Sequence, residues 1–99
     1  MARYVRLIKL TREGAMSIKE MPDKMAKGVE YLESLGGKLV ELYAVAGPYD
    51  FVAIIDAPSE DVVMKHGIYV KQTGNVDMIT MAATPVLNFL KMVGEVPKV

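Results

Sequence analysis

With 99 residues, 52% of them hydrophobic and 24% charged, the chain has the size and composition of one small globular domain, residues 1–99. Twelve Lys and Arg balance twelve Asp and Glu, so the basic excess of a phosphate-gripping surface is missing and nucleic acid is not an expected partner. The lack of cysteine removes disulfides, thiolate zinc sites and thiol nucleophiles together.

The N-terminus carries Arg3, Arg6 and Lys9, which is no signal peptide, and no apolar run approaches the roughly 20 residues of a membrane span. A cytoplasmic protein without membrane contact is the expectation. Tyr4 to Leu10 reads as a first strand, and Thr11 opens a helical region. Ile18, Met21, Met25, Val29, Leu32 and Leu35 recur three and four apart, as one face of an amphipathic helix does. Pro22 divides this region into a short turn ending near Glu20 and a main helix from about Pro22, because proline is tolerated only at a helix start. The Met-rich stripe is expected to fill core gaps rather than to hold a cofactor. Gly36-Gly37 supplies the stop.

Leu39 to Ala46 reads as a second strand and Phe51 to Asp56 as a third. Pro58-Ser59-Glu60-Asp61 starts a second main helix, with Ser59 as its cap and two acids on the positive end of the dipole. It ends near Gly74. Val76 to Ala83 is the fourth strand, and Thr84-Pro85 opens a short apolar helix over Val86 to Val93. The order predicts an α+β, ferredoxin-like βαββαβ fold: an antiparallel sheet, two main helices on one face, and a short C-terminal helix.

Such a sheet should turn polar residues outward, yet both alternations are greasy. The second strand gives Val40, Leu42, Ala44 and Ala46 against Leu39, Glu41, Tyr43 and Val45. The third sets Phe51, Ala53 and Ile55 against Val52 and Ile54, and the fourth Val76, Met78, Thr80 and Ala82 against Ile79, Met81 and Ala83. Burial of each such side chain is worth about 1.5–3 kcal/mol. The stripe Val86, Phe89, Leu90 and Val93 of the last helix would cover part of the outer face, and a second copy of the sheet would cover more. A homodimer or higher oligomer is therefore expected.

Between the second and third strands stands Gly47-Pro48-Tyr49-Asp50, in which Gly47 and Pro48 are turn chemistry and Asp50 can accept backbone amides. The string Gly47-x-Tyr49-Asp50 resembles the signature of the GYD domain family, small stand-alone proteins. Thr11-x-x-Gly14, Gly36-Gly37-Lys38-Leu39 and Gly74-Asn75-Val76 agree with it, and the resemblance covers almost the whole chain. It implies a ferredoxin-like fold of the dimeric α/β-barrel kind. Met21-Pro22-Asp23-Lys24 departs from relatives that carry Ser-Pro and then Arg, so no role of that arginine is carried over. The strand-turn pattern also resembles the effector-binding domain of leucine-responsive regulators.

His66 is the only histidine and shares a helical stripe with Val62 and Tyr69, so packing at the helix margin is its plainer role and general-base chemistry the sharper one. Arg6 lies among apolar neighbours on a central strand and needs a partner, for which Glu41 is the candidate; were both to face a cleft, they would orient a carboxylate ligand instead. No metal site, cofactor or catalytic set is expected.

Three functions remain open. The first is a sensory or regulatory oligomer that binds a small ligand in a sheet-helix or inter-protomer cleft lined by Tyr43, Tyr49, Asp50 and His66. The second, by fold analogy alone, is a cofactor-independent enzyme, monooxygenase- or isomerase-like, acting on a small organic substrate. The third is an assembly protein without pocket chemistry. A polar cavity with a displaced pKa on His66 or Asp50 would favour catalysis, and a filled interior would favour assembly.

Overall fold

The computed structural model describes all 99 residues, Met1 to Val99. Its elements run β1 (Ala2–Leu10), α1 (Arg12–Met16), a 3-10 turn at Ile18–Glu20, α2 (Met21–Ser34), β2 (Lys38–Ala44), β3 (Phe51–Ala57), α3 (Glu60–Lys71), β4 (Val76–Ala83) and α4 (Val86–Glu95). The strands form one sheet in the order β2-β3-β1-β4, every neighbouring pair antiparallel. With α2 and α3 on one face, this is the ferredoxin-like arrangement expected from the order of elements. No helix is long and apolar enough to cross a membrane.

The punctuation of the chain has local physical causes. Gly36 takes the left-handed conformation at φ +84, letting its amide reach Glu33 and that of Gly37 reach Leu32, both at 3.0 Å. These two bonds close α2 as a Schellman motif. Thr11 caps α1 by accepting from the Gly14 amide at 3.1 Å, and its hydroxyl donates to the Gly74 carbonyl at 2.7 Å. The Thr11 amide also donates to Asn75 O at 2.9 Å. The two motifs Thr11-x-x-Gly14 and Gly74-Asn75-Val76 are thus one contact, seen from both sides. One expected cap differs: Ser59 makes no side-chain bond to the helix that follows it, and α4, whose N-cap position is Pro85, likewise starts without a side-chain cap.

A β-bulge between Leu39 and Glu41 changes which residues of β2 face the helices. Strict alternation would group Leu39 with Glu41 and Tyr43. The extra residue, Val40, shifts the pattern by one, so Leu39 pairs with Ile55 while Glu41 pairs with Ile54. Leu39, Leu42 and Ala44 therefore share the inner face, and Glu41 and Tyr43 face outward with Val52 and Ile54. The strand itself ends at Ala44, two residues short of the expected Ala46.

Only 12 residues are buried, and the core reduces to Tyr4, Leu32, Ala53, Ile55, Ala57 and Val63. On the outer face Tyr43, Ile79 and Met81 remain 52%, 47% and 44% exposed, next to half-buried Val5, Leu7, Val52 and Ile54. The final helix does not cover them. None of its residues is buried, and Phe89 and Leu90 are each 56% exposed. The radius of gyration, 15.6 Å, exceeds the about 13 Å of a compact chain this long.

Gly14 is the position where a methyl group has no room. A Cβ there would lie 2.1 Å from the Asn75 carbonyl oxygen, whereas one at Gly28 would lie 3.8 Å from its nearest neighbour, His66 Nε2. Gly14→Ala is expected to cost about 1–3 kcal/mol in urea unfolding, because backbone must move. Gly28→Ala, with no such clash and a gain in helix propensity, is expected to stay within about 1 kcal/mol of the parent.

Candidate functional site

Arg6 projects from the middle of β1, an interior strand, toward the helices, and is 2% exposed. Its Nε donates to Thr80 Oγ1 on β4 at 2.9 Å, and one terminal nitrogen donates to the Val63 carbonyl on α3 at 3.2 Å. The other lies 2.6 Å from Nδ1 of His66. A guanidinium only donates, so Nδ1 must accept and the ring proton belongs on Nε2. Nε2 in turn donates to the Gly28 carbonyl on α2 at 3.0 Å. The expected partner Glu41 is not involved: the bulge turns it to the outer face, where it is exposed.

His66 is buried, at 8% exposure, rather than lying at a helix margin. Burial, and then the positive charge of Arg6, hold its pKa below the ordinary histidine range, against a smaller opposing effect of the Gly28 carbonyl. The neutral ring is thus the state that fits its neighbours. Burial also lowers the pKa of Arg6 from its ordinary value.

Arg6 and His66 border a cavity of about 160 Å³ between sheet and helices. Fourteen of its 22 lining residues are hydrophobic. Met21, Met25 and Val29 of α2 form one wall, Ile8, Leu10 and Met78 of the sheet another, and Tyr69 and Asn75 stand on the α3 side. Of the stripe expected to fill the core, Met21, Met25 and Val29 instead wall a space, and Leu32 is both buried and in contact with it, whereas Ile18 and Leu35 do not line it. Tyr69 is fixed by stacking on Tyr31 of α2, ring centroids 4.5 Å apart.

The four residues expected to share one cleft are separated. His66 lines the cavity; Tyr43, Tyr49 and Asp50 do not. Tyr43 belongs to the outer face. Asp50 ends the β2–β3 turn, where its carbonyl accepts from Val45 at 2.9 Å, its amide donates to Ile8 O at 2.8 Å, and its Oδ2 accepts from the Leu10 amide at 2.8 Å. The carboxylate continues the β1–β3 ladder one step past its last backbone pair, Ile8↔Phe51. Half-buried Tyr49 accompanies it in the turn. On the outer face Arg3 grips Asp56 with two bonds of 2.9 and 3.0 Å and lowers that carboxyl's pKa. No three His, Asp or Glu side chains converge as metal ligands would.

Reasoning from sequence missed Thr80 and Gly28 as the partners of the buried pair. The available signal was positional: Thr80 stands opposite Arg6 in the β1–β4 register, on the same face.

The family model described as GYD domain matches residues 4–93. A Thermus thermophilus protein named glutamine synthetase and cystathionine beta-lyase binding protein is 31% identical over 91 residues, covering 91% of this chain and 96% of that protein. Among solved structures, MtbAldR is similar with a TM-score of 0.63 at 11% identity over 85% of this chain, which spans 52% of that one. FFRP-DM1 has a TM-score of 0.58 at 16% identity, covering 85% of this chain and 100% of that one. At such identities the two structures speak for the fold alone.

Two outcomes follow from the geometry. Asp50→Ala leaves the Leu10 amide without its acceptor and is expected to cost about 1.5–3 kcal/mol in urea unfolding, while Asp50→Asn, which keeps an acceptor oxygen, costs less. Below pH 7 the unfolded chain takes up a proton at about 6.5 that native His66 refuses, so stability is expected to fall as pH drops through that value toward the lower native pKa. The NMR titration of the single histidine should show a midpoint below about 6.5, and a midpoint at or above it would contradict the assignment.

Proposed function

The chain belongs to the GYD domain family, and we propose that it is a small-ligand-binding module, sensory or regulatory in use, that works as a homo-oligomer. The observation that carries this reading is the cavity between sheet and helices. It is walled by apolar side chains and floored by two buried polar groups that hold each other in place. Few convergent polar groups in an apolar recess are the usual make-up of a ligand site.

A cofactor-independent enzyme is the second reading, and the depressed pKa of His66 favours it. The hydrogen bonds weigh against it. Nδ1 accepts from Arg6 and Nε2 donates to Gly28, so neither ring nitrogen is free to take a substrate proton. Binding is the simpler use of a group so fully committed.

Assembly is the other half of the proposal. The outer sheet face presents Tyr43, Ile79 and Met81, and α4 presents Phe89, Leu90 and Val93, all more than 40% exposed. A second copy packed face to face would remove both surfaces from water, and each side chain so buried contributes about 1.5–3 kcal/mol. The Thermus relative is named for binding two enzymes, and docking on a protein partner, responsive to the occupied cavity, is the output we assign to this chain.

Native mass spectrometry is expected to find at least two copies, with a small molecule released on denaturation or a fraction of a metabolite extract that raises the melting temperature. Val29→Trp, which fills the cavity from α2, should abolish that upshift and leave the copy number unchanged. Ile79→Glu should do the reverse, yielding monomers at micromolar concentration. A monomer at every concentration overturns the assembly, and an extract without effect on either parent or variant overturns the ligand site.

A further inference from the structure

Arg6 carries a charge that nothing in the protein neutralises. Its three hydrogen bonds go to a threonine hydroxyl, a backbone carbonyl and a neutral imidazole. The ion pair the chain does form, Arg3 with Asp56, is on the opposite face of the sheet. An isolated charge taken out of water is costly unless a counter-charge meets it. No Asp or Glu lines the cavity, whereas Arg6 does and Lys24 contributes a second cation from α2.

A guanidinium offers five N–H donors. Three are used here, leaving one on each terminal nitrogen. A carboxylate taking N–H donors from two neighbouring nitrogens is the bidentate geometry in which arginine binds best. A phosphate or sulfate dianion would need more donors than this apolar recess provides. The walls set the rest of the molecule. Met21, Met25, Val29, Ile8 and Met78 offer no polar group, and a space of about 160 Å³ is close to the size known to admit one benzene ring.

We infer that the cavity takes a small monocarboxylate with an apolar body, its carboxylate paired with Arg6 and its body against the methionine-lined wall. This rests on the reading of the cavity as a ligand site. The unbranched methionines can adjust to bodies of somewhat different outline, so the charge is the stricter criterion and the shape the looser one.

The unaltered protein tests the charge directly. Isovalerate, benzoate, phenylacetate and phenylpropionate are each titrated against the corresponding neutral amide, following the His66 ring proton by NMR and the melting temperature. At least one acid should shift the His66 signal and bind tenfold or more tightly than its amide. Arg6→Met, checked for folding by circular dichroism, should bind acid and amide alike. Should the amides bind as well as the acids, the carboxylate assignment falls while the ligand site stands. Should neither acids nor amides move His66 at millimolar concentration, the assignment falls, and the metabolite-extract melting shift judges the ligand site independently.

Discussion

The hydrogen-bonded series Thr80, Arg6, His66 and Gly28 is the constraint on which the interior depends. It starts on an edge strand, crosses the middle of β1, passes through α3 and ends on the backbone of α2. Four elements are thereby referred to one side chain. In a domain with six buried hydrophobic residues, apolar packing alone fixes little, and a directional network supplies the geometry that contact area does not. Such a network is costly where any member is unsatisfied, and here every buried side-chain nitrogen and oxygen has a partner. The net charge of the network is what the chain leaves open.

Two glycine motifs and one aspartate perform a similar office at the far end of β1. Beyond Leu10 the strand has no further ladder partner on either side, and its last amides are taken up by Asp50 Oδ2 and by the Asn75 carbonyl. Gly14 lets α1 approach that carbonyl closely. Residues that read as a signature are in this way the joinery of a single strand end, and Leu10, Gly14 and Asn75 there also line the cavity. Their contact at this strand end needs no catalytic role.

Much of the fold was legible because periodicity and punctuation agreed. The 3.6-residue stripe from Met21 to Leu32, the Gly36-Gly37 stop and the Pro22 start all pointed to one helix, and α2 occupies that range. The site was less legible, for reasons tied to particular residues. Glu41 stands as a partner for Arg6 only as an acid on another strand; the bulge that turns it to the outer face leaves no mark in the run Lys38 to Ala44, and β3 lies between the two strands. Tyr43, Tyr49 and Asp50 looked convergent with His66 because polar groups near turns are visible in a sequence, while the face each occupies depends on register. The apolar stripe of α4 suggests a cover for part of the outer face, yet amphipathicity says only that a helix has a face to bury, not that the same chain buries it.

The bulge at Val40 has a consequence for how variation in this strand should be understood. Most positions of a sheet record their role in the kind of residue they hold, but here the distribution of chemistry between the two sides of β2 is set by a count. One supernumerary residue keeps an acid out of the interior and turns a leucine in. Aligning relatives along β2 by letter alone would therefore compare inward with outward positions wherever that count differs by one, and two chains of near-identical composition could hold opposite polarity around the buried arginine.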